Sequence, residues 1–338
     1  MKNILRIIFI LFTFKNAISQ TLSPIVKHHN GFNYERLNQI DTILKNYEDK
    51  NWLVGTVVII VKDNQVVYYK GSGYSNLLNK KPMQHDAIFR IMSQTKAITS
   101  LGIMQLFERG KLSLDQNISD FIPEFKNPKV IKSFNALDSS YTSIAAKREI
   151  TVRDLLTHTS GIDYAAIGSD TMQAVYAKNG IPSGLGYFNE NLLSKMKVLG
   201  TLPLLHNPGK RFTYGLNSDL LGCLIEIISG ESLETYCNKN IFEPLGMKDT
   251  YFNVPASKAN RLVNLYTETP QGKLVKANAG LLNSIATSNY PLIPHTYYSG
   301  GAGLSSTIYD YSIFLQMLLN NGVYNNKRLL GRNTVRMI

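Results

Sequence analysis

Cysteine is scarce in this chain, which contains only Cys223 and Cys237 among its 338 residues. A disulfide is chemically permitted if the chain is exported. Cys223, however, lies inside the apolar helical stretch "LLGCLIEIIS", where a small buried residue is expected. We therefore predict two free thiols, and neither lies in a context that indicates a nucleophile or a metal ligand.

Dense basic runs and long apolar segments are also missing. The formal net charge is +12, but the lysines and arginines are scattered, as in "KNPKVIK", which is typical of a solvated surface. No zinc-finger or nucleic-acid motif occurs, and no segment after residue 19 is long and apolar enough to span a bilayer. We expect no nucleic-acid partner and no stable membrane span in the mature protein.

Glycine-rich cofactor loops are absent as well. Gly71 and Gly73 have no third glycine in G-x-G-x-x-G register, and no helix begins there, which argues against a dinucleotide site. Gly300, Gly301 and Gly303 lack the Lys-Ser/Thr of a phosphate loop, so we predict that they shape a tight loop near the cleft. No metal or cofactor is implied.

The first nineteen residues, "MKNILRIIFILFTFKNAIS", have the pattern of a signal peptide. Basic Lys2 and Arg6 precede an apolar region, and the segment ends in the small-residue sequence Ala17-Ile18-Ser19. Lys15 after the apolar region leaves an uncleaved anchor as the alternative. Removal would lower the net charge from +12 to +9, because Lys2, Arg6 and Lys15 would be lost. We expect a periplasmic or secreted protein whose domain comprises residues 20–338.

Periodicity predicts an α+β fold. In "GTVVIIVKDNQVVYYKG", two β-branched and aromatic runs flank polar residues 62–65, which predicts an antiparallel hairpin around Thr56 to Tyr69. "SQTKAITSLGIMQLFERG" predicts a helix that ends at Gly110, and its apolar residues on all sides are typical of a buried helix. A hairpin near one end and helices in the middle favour α+β over alternating βαβ units.

Two copies of a Ser-x-x-Lys pattern occur, Ser93 with Lys96 in "FRIMSQTKAIT" and Ser194 with Lys197 in "LLSKMKV". Positions three apart share a helix face with Cβ atoms about 5–6 Å apart, so the amine can reach the hydroxyl. Ser93 follows an apolar run and begins the buried helix, where the helix dipole favours a developing oxyanion. Ser194 is followed closely by Lys195 and Lys197 in a solvated stretch with no strand before it. We predict that only the first pair is functional.

Five stretches in this order carry a family resemblance: "AIFRIMSQTKAITSLGIMQLFERGKLSLDQNISDFIPEF", "ITVRDLLTHTSGI", "NPGKRFTYGLNSDLLGCLIEIISG", "IFEPLGMKDTYF" and "GGAGLSSTIYDYSIFLQMLLNNG". From about residue 50 onward the chain resembles the serine β-lactamase-related family, which includes class C β-lactamases, DD-peptidases and β-lactamase-like esterases. The resemblance implies a β-lactamase/transpeptidase-like α+β fold, with an antiparallel sheet, flanking helices and an all-helical region.

The resemblance also implies roles for single residues. Ser93 would be the nucleophile, Lys96 the general base, and Tyr214 in "FTYGLNSD" the tyrosine that relays protons. The asparagine of the family's Tyr-x-Asn motif falls on Leu216, a departure that resembles the esterase-like branches. Asn217, one residue later, is the remaining candidate for a substrate-binding residue.

His158 in "LLTHTSGI" raises the alternative of a Ser-His-Asp triad. The resemblance places this stretch in a structural loop, and Lys96 already offers a base. We therefore expect a structural role for His158.

The family's third motif, a Lys-Thr-Gly-like or Gly-rich segment on a strand opposite the serine, has no counterpart after Gly303. In the family, one of its N–H groups joins that of the serine to form the oxyanion hole. The segment "NKRLLGRNTVRMI" looks like the helix that precedes those strands. We expect a fragment whose C-terminal strands are missing; the alternative is a protein that lost this wall of the cleft.

Together these features predict an exported serine hydrolase that acts through an acyl-enzyme on an ester, amide or β-lactam carbonyl. Its substrate would be a small-molecule ester or amide, or a peptidoglycan-derived molecule. The alternative is a non-catalytic protein that binds penicillin or peptidoglycan fragments in an incomplete cleft.

Overall fold

The computed structural model describes residues 21–26, 29, 31–184, 186, 190–277 and 287–338. The segment interpreted as a signal peptide lies outside these residues. The strands are β1 (Gly55–Lys62), β2 (Gln65–Asn76), β3 (Lys81–Pro82), β4 (Phe89–Arg90), β5 (Lys129–Asn135), β6 (Ser140–Ala145), β7 (Tyr266–Glu268), β8 (Leu274–Lys276), β9 (Ser305–Ser306), β10 (Val323–Tyr324) and β11 (Lys327–Arg328). The α-helices are α1 (Tyr34–Asp49), α2 (Thr95–Glu108), α3 (Val152–Leu156), α4 (Asp170–Lys178), α5 (Leu192–Gly200), α6 (Asn217–Ser229), α7 (Leu233–Cys237), α8 (Glu243–Leu245), α9 (Ile308–Leu319) and α10 (Arg332–Val335).

The predicted hairpin forms the largest sheet of the described chain. Strands β1 and β2 pair antiparallel, with a bulge between Ile60 and Val61, and β3 adds to β2. Asp63 and Asn64 form the turn with φ of 51° and 61°. Two consecutive positive φ angles fit the right-handed twist of the flanking strands, and aspartate and asparagine tolerate them. Helix α1 packs against β2 and α9 packs against β1, so the sheet is flanked by helices.

Helix α2 is buried on most of its surface, as its apolar composition predicts. Ile98, Leu101 and Ile103 are fully buried although they point in different directions around the helix. Helix α6 lies so close to α2 that a Cβ on Gly102 would come within 2.8 Å of Ile225. Burial of each large aliphatic side chain contributes about 1.5–3 kcal/mol. The packing against α6 therefore stabilises the position of α2.

A short strand pair connects the residues before α2 with β9, more than 200 positions further along the chain. Strand β4 pairs antiparallel with β9, so Phe89 and Arg90 lie beside Ser305 and Ser306. The Ile91 N–H extends this ladder by donating to the Leu304 carbonyl at 3.0 Å. This pairing brings the glycine-rich residues 300–303 next to Ser93.

The hairpin of β5 and β6 is not predicted from the sequence, because most of its side chains are exposed and polar and show no alternating pattern. Cys223 and Cys237 are buried free thiols, as predicted. None of the helices in the described part of the chain is long and apolar enough to cross a bilayer.

Candidate active site

Ser93 lies in a single 3₁₀ turn, Met92–Gln94, which leads directly into α2. Strand β4 leads into this turn, and the chain changes direction at Met92, which has φ of 45°. For a residue with a Cβ this left-handed conformation costs roughly 1–2 kcal/mol. Strain of this kind is concentrated at functional sites, where the surrounding structure enforces it. The turn leaves the Ser93 side chain exposed at the helix N-terminus.

Lys96 points back along the helix toward Ser93. Its Nζ lies 3.2 Å from Ser93 Oγ, 3.1 Å from the Tyr164 hydroxyl and 2.7 Å from the Gly301 carbonyl oxygen. One partner comes from the 3₁₀ turn that precedes α2, and the other two come from distant segments. These three contacts hold the amine in one position beside the serine hydroxyl.

Tyr214 is the second side chain in contact with the Ser93 hydroxyl. Its hydroxyl lies 2.5 Å from Ser93 Oγ, and Lys96 Nζ lies 4.7 Å from the centre of its ring. The structure therefore brings Ser93, Lys96 and Tyr214 into mutual contact although Tyr214 is 121 positions away from Ser93. A hydroxyl in hydrogen-bond contact with both an amine and a phenol has a proton acceptor and a relay within reach.

Asn217, the predicted substrate-binding residue, has its described contacts outside this cluster. It is fully buried at the start of α6, where its side-chain NH₂ donates to His158 Nδ1 at 3.0 Å and its oxygen accepts from Ser160. Leu216, which takes the place of the family's asparagine, is also fully buried. Its aliphatic side chain packs in the core and offers substrate no polar group.

The glycine-rich loop forms a wall of the site, as predicted. The Gly300 carbonyl accepts from Thr99 Oγ1 at 2.8 Å, and the Gly301 carbonyl accepts from Lys96. A Cβ at Gly300 would come within 2.3 Å of the Ser218 carbonyl oxygen, and such a contact requires glycine. The loop therefore fits closely between α2 and α6.

Sequence reasoning missed Tyr164 and Asp219. Burial, together with nearby Asp219, raises the pKa of Tyr164 well above its ordinary value, so the phenol beside Lys96 stays neutral. Burial also raises the pKa of Asp219 to about 6, against the opposing effects of Ser299, Lys96 and Tyr297. Neither residue belongs to a motif with a recognisable spacing. Only the folded chain places them behind Lys96.

The second Ser-x-x-Lys copy makes different contacts. Ser194 lies in the first turn of α5, and its hydroxyl donates to the Asn191 carbonyl at 2.9 Å. Lys197 is exposed and pairs with Glu124 at 3.5 Å. Within the described chain, no hydrogen bond joins Lys197 to Ser194. The sequence prediction that this copy is inert agrees with these contacts.

A small pocket of ≈ 120 Å³ opens onto the Ser93 hydroxyl. We call it the Ser93 pocket, and it is lined by Met92, Ser93, Tyr164, Ala166, Ile167, Ser183, Tyr214 and Ala302. None of the described residues that line it is charged. A larger cavity of ≈ 610 Å³ lies beyond Met92, between β1 and α9, but Ser93 does not line it.

In the described ranges, no cluster of three or more histidine, cysteine, aspartate or glutamate residues is arranged to hold a metal ion.

Comparisons with known proteins identify the family. The family described as Beta-lactamase matches residues 40–337. Protein Rv1367c of Mycobacterium tuberculosis (strain ATCC 25618 / H37Rv) is 32% identical over 291 residues, which cover 86% of this chain and 68% of that protein. Esterase EstB of Burkholderia gladioli is 27% identical over 84% of this chain and 70% of its own length. The chain belongs to the β-lactamase family of serine hydrolases.

A solved structure supports the same assignment. EstCE1, described as a hydrolase with promiscuous acyltransferase activity, superposes with a TM-score of 0.75 at 26% sequence identity. The match covers 88% of this chain and 75% of that one. The β-lactamase/transpeptidase-like fold, with its helices and antiparallel sheets, is therefore confirmed.

Proposed function

We propose that the protein is a serine esterase that hydrolyses small, neutral carboxylic esters through an acyl-enzyme on Ser93. The observation that carries this proposal is the position of Ser93 Oγ, 2.5 Å from the Tyr214 hydroxyl and 3.2 Å from Lys96 Nζ. Similarity to an enzyme named Esterase EstB adds support from outside the structure.

In the proposed mechanism, Lys96 acts as the general base. Ser93 Oγ attacks the ester carbonyl carbon while its proton passes to the Lys96 amine, and the carbonyl electron pair moves onto oxygen. Collapse of the tetrahedral intermediate breaks the bond to the alkoxide, which takes a proton relayed through Tyr214. Water then attacks the acyl-enzyme by the reverse route, which releases the carboxylic acid and restores Ser93.

The Ser93 pocket favours esters over peptides that end in a carboxylate. A DD-peptidase substrate ends in a negatively charged group, yet none of the described lining residues is a lysine or an arginine. An apolar cavity of about 150 Å³ holds one benzene, so ≈ 120 Å³ suits a short acyl chain of about four carbons. Leu216, in place of the family's amide-bearing asparagine, offers no hydrogen bond to a peptide or lactam amide.

The rival function is non-catalytic binding of penicillin or peptidoglycan fragments. Such a protein would bind or be acylated once and would then release no product. The contacts of Lys96 and Tyr214 with Ser93 favour covalent chemistry over non-covalent binding, because a serine that is only a binding residue needs no proton acceptor and relay beside it. Release of product after acylation separates an esterase from a protein that is acylated once.

The test compares three substrates of similar size on the same protein: p-nitrophenyl butyrate, a chromogenic cephalosporin and a peptide ending in D-Ala-D-Ala. We expect multiple turnovers of the ester, at least tenfold lower kcat/KM for the other two, and a butyryl adduct on Ser93 by mass spectrometry. Faster turnover of the lactam or peptide would overturn the ester assignment. One equivalent of adduct with no further turnover would support the binding protein instead.

We also propose that the protein is exported, since residues 1–19 carry the charge and hydropathy pattern of a signal peptide. Expression of the chain in a bacterium with a periplasm should yield protein whose N-terminus is Gln20. Recovery of the intact N-terminus in the cytosol would contradict this proposal.

A further inference from the structure

His158 contacts the chain on both sides of Tyr214. Its carbonyl accepts the Thr213 N–H at 2.7 Å, and its ring Nδ1 lies 3.4 Å from the Gly215 N–H. The same Nδ1 lies 3.0 Å from the Asn217 side-chain NH₂. His158 thus makes hydrogen bonds to three residues near Tyr214, one before it and two after it.

The His158 ring also packs against Tyr214 itself. The two rings are stacked, with centroids 5.2 Å apart and planes 25° apart. Tyr164 packs against the tyrosine at the same centroid distance. Tyr214 therefore has limited freedom to swing its hydroxyl away from Ser93.

The contacts define which form of the histidine is present. The Gly215 N–H can only donate, so Nδ1 must accept, and the proton of the neutral ring is on Nε2. Burial, with the nearby Lys96 charge, lowers the pKa of His158 to about 4, which keeps the ring neutral at neutral pH. His158 also has φ of 55°, so the backbone adopts a left-handed conformation to present both its carbonyl and its ring to the loop.

We propose that His158 is a positioning residue that fixes the Tyr214 hydroxyl against Ser93, through its carbonyl, its Nδ1 and its ring face. The inference rests on the proposed function, because it requires that Tyr214 relays a proton during turnover. His158 itself takes no part in the proton transfers. Displacement of a catalytic group by about 1 Å can cost about 10²-fold in rate, so loss of this support has a measurable effect.

The experiment is a double-mutant cycle between His158→Phe and Tyr214→Phe, followed with p-nitrophenyl butyrate. Phenylalanine retains a ring that can stack but removes the Nδ1 acceptor from two N–H donors. We expect His158→Phe to lower kcat about 10- to 100-fold with KM changed less than about twofold. In the Tyr214→Phe background the same change should cost less than about twofold, because the residue that it positions is already disabled.

His158→Asn supplies the conservative rescue, since asparagine tolerates a positive φ and its side-chain oxygen can take the place of Nδ1. We expect it to retain more than about a third of wild-type kcat. The matched control is His206→Asn. His206 is also buried and also binds this loop, with Nε2 2.8 Å from Thr213 Oγ1, but it makes no described contact with Tyr214. Its replacement should lower the melting temperature without a comparable loss of kcat.

The outcomes separate this inference from the proposed function. If Tyr214→Phe alone has wild-type turnover, the relay role of Tyr214 and the role of His158 are both overturned, while ester turnover through Ser93 stands. If the wild-type protein does not turn over the ester, the proposed function is overturned. If Tyr214→Phe is impaired and His158→Phe costs as much in that background as in the wild type, only the role of His158 is overturned. Should His158→Phe not fold, the cycle is run with His158→Gln, whose longer side chain misplaces the acceptor. Equal kcat for His158→Gln and His158→Asn would then overturn the inference.

Discussion

The two Ser-x-x-Lys copies have the same spacing and the same kind of position, at the start of a helix, yet their surroundings differ. Ser93 Oγ contacts both Lys96 and Tyr214, and Lys96 has further partners from the Tyr164 segment and the glycine-rich loop. Ser194 instead donates to the backbone of its own helix start, at the Asn191 carbonyl. A motif of this kind becomes a site only when other segments of the fold supply its partners.

Burial reinforces this difference. Helix α2 is buried on nearly every side, so Lys96 is half-enclosed and held by fixed neighbours. Helix α5 presents Lys197 to solvent, where an ion pair with Glu124 is screened and contributes little. The first lysine is held against a serine, whereas the second belongs to an ordinary surface helix.

The largest effect should come from exchanging the two serines for alanine in turn. Ser93→Ala should abolish labelling by a fluorophosphonate probe and all turnover of p-nitrophenyl butyrate, because no other hydroxyl in the described site has an amine and a phenol beside it. Ser194→Ala should be labelled at the wild-type rate. Gel fluorescence and initial rates measure both. Persistent labelling of Ser93→Ala would mean that the nucleophile is a different residue.

The two lysines provide the next test. Lys96→Ala should slow acylation by about 10²–10⁴-fold, the usual contribution of general base catalysis, while Lys197→Ala should leave the rate unchanged. Stopped-flow measurement of the p-nitrophenol burst reports the acylation step directly. Equal rates for both variants would show that the spacing carries no function in either copy.

Two glycines allow a milder comparison, Gly301 beside Lys96 and Gly180 beside Lys195, the residue that follows Ser194. A Cβ on Gly301 would lie 2.7 Å from Asp219 Oδ2, 3.0 Å from the Tyr164 hydroxyl and 3.5 Å from Lys96 Nζ. Gly301→Ala should therefore displace the groups that hold Lys96 and slow acylation about 10- to 100-fold. A Cβ on Gly180 would meet only Lys195 Nζ, at 3.8 Å, although its φ of 63° disfavours alanine.

Gly180→Ala is the control for Gly301→Ala. Gly180→Ala should lower the free energy of unfolding by about 1 kcal/mol and leave acylation unchanged. Burst rates and urea unfolding curves of the two variants distinguish a displaced site from a strained backbone. An acylation rate for Gly301→Ala within twofold of the wild type would contradict the account of how Lys96 is held.

Local sequence signals predicted the parts of the fold that depend on near neighbours. The β1–β2 hairpin follows from two β-branched runs around a polar turn, and the buried nature of α2 follows from apolar residues on all its faces. The spacing and the buried helix indicate Ser93 and Lys96, and the resemblance of five ordered stretches to a family supports both and indicates Tyr214. The sequence therefore predicts which residues form the site, and the structure shows the contacts between them.

The partners of Lys96 could not be predicted in this way. Tyr164 and Gly301 are 68 and 205 positions from it, and no periodicity or spacing links residues so far apart. The surroundings of Asn217 also depend on distant residues. Its side chain is buried at the start of α6, where it contacts His158 and Ser160, which are 59 and 57 positions away.

The smallest effect should come from Asn191, whose side chain accepts the backbone N–H of Ser194. Asn191 is the N-cap of α5, and its side-chain oxygen accepts the Ser194 N–H at 2.8 Å, whereas neither the 3₁₀ turn that carries Ser93 nor α2 has a side-chain cap. Loss of such a cap costs about 1 kcal/mol, so Asn191→Ala should shift the urea midpoint slightly while kcat and KM stay at wild-type values. Asn191→Asp, which keeps a capping oxygen, should restore the midpoint. A fall in acylation rate at unchanged stability would show that the second copy is coupled to catalysis, and the contrast between the two copies would no longer hold.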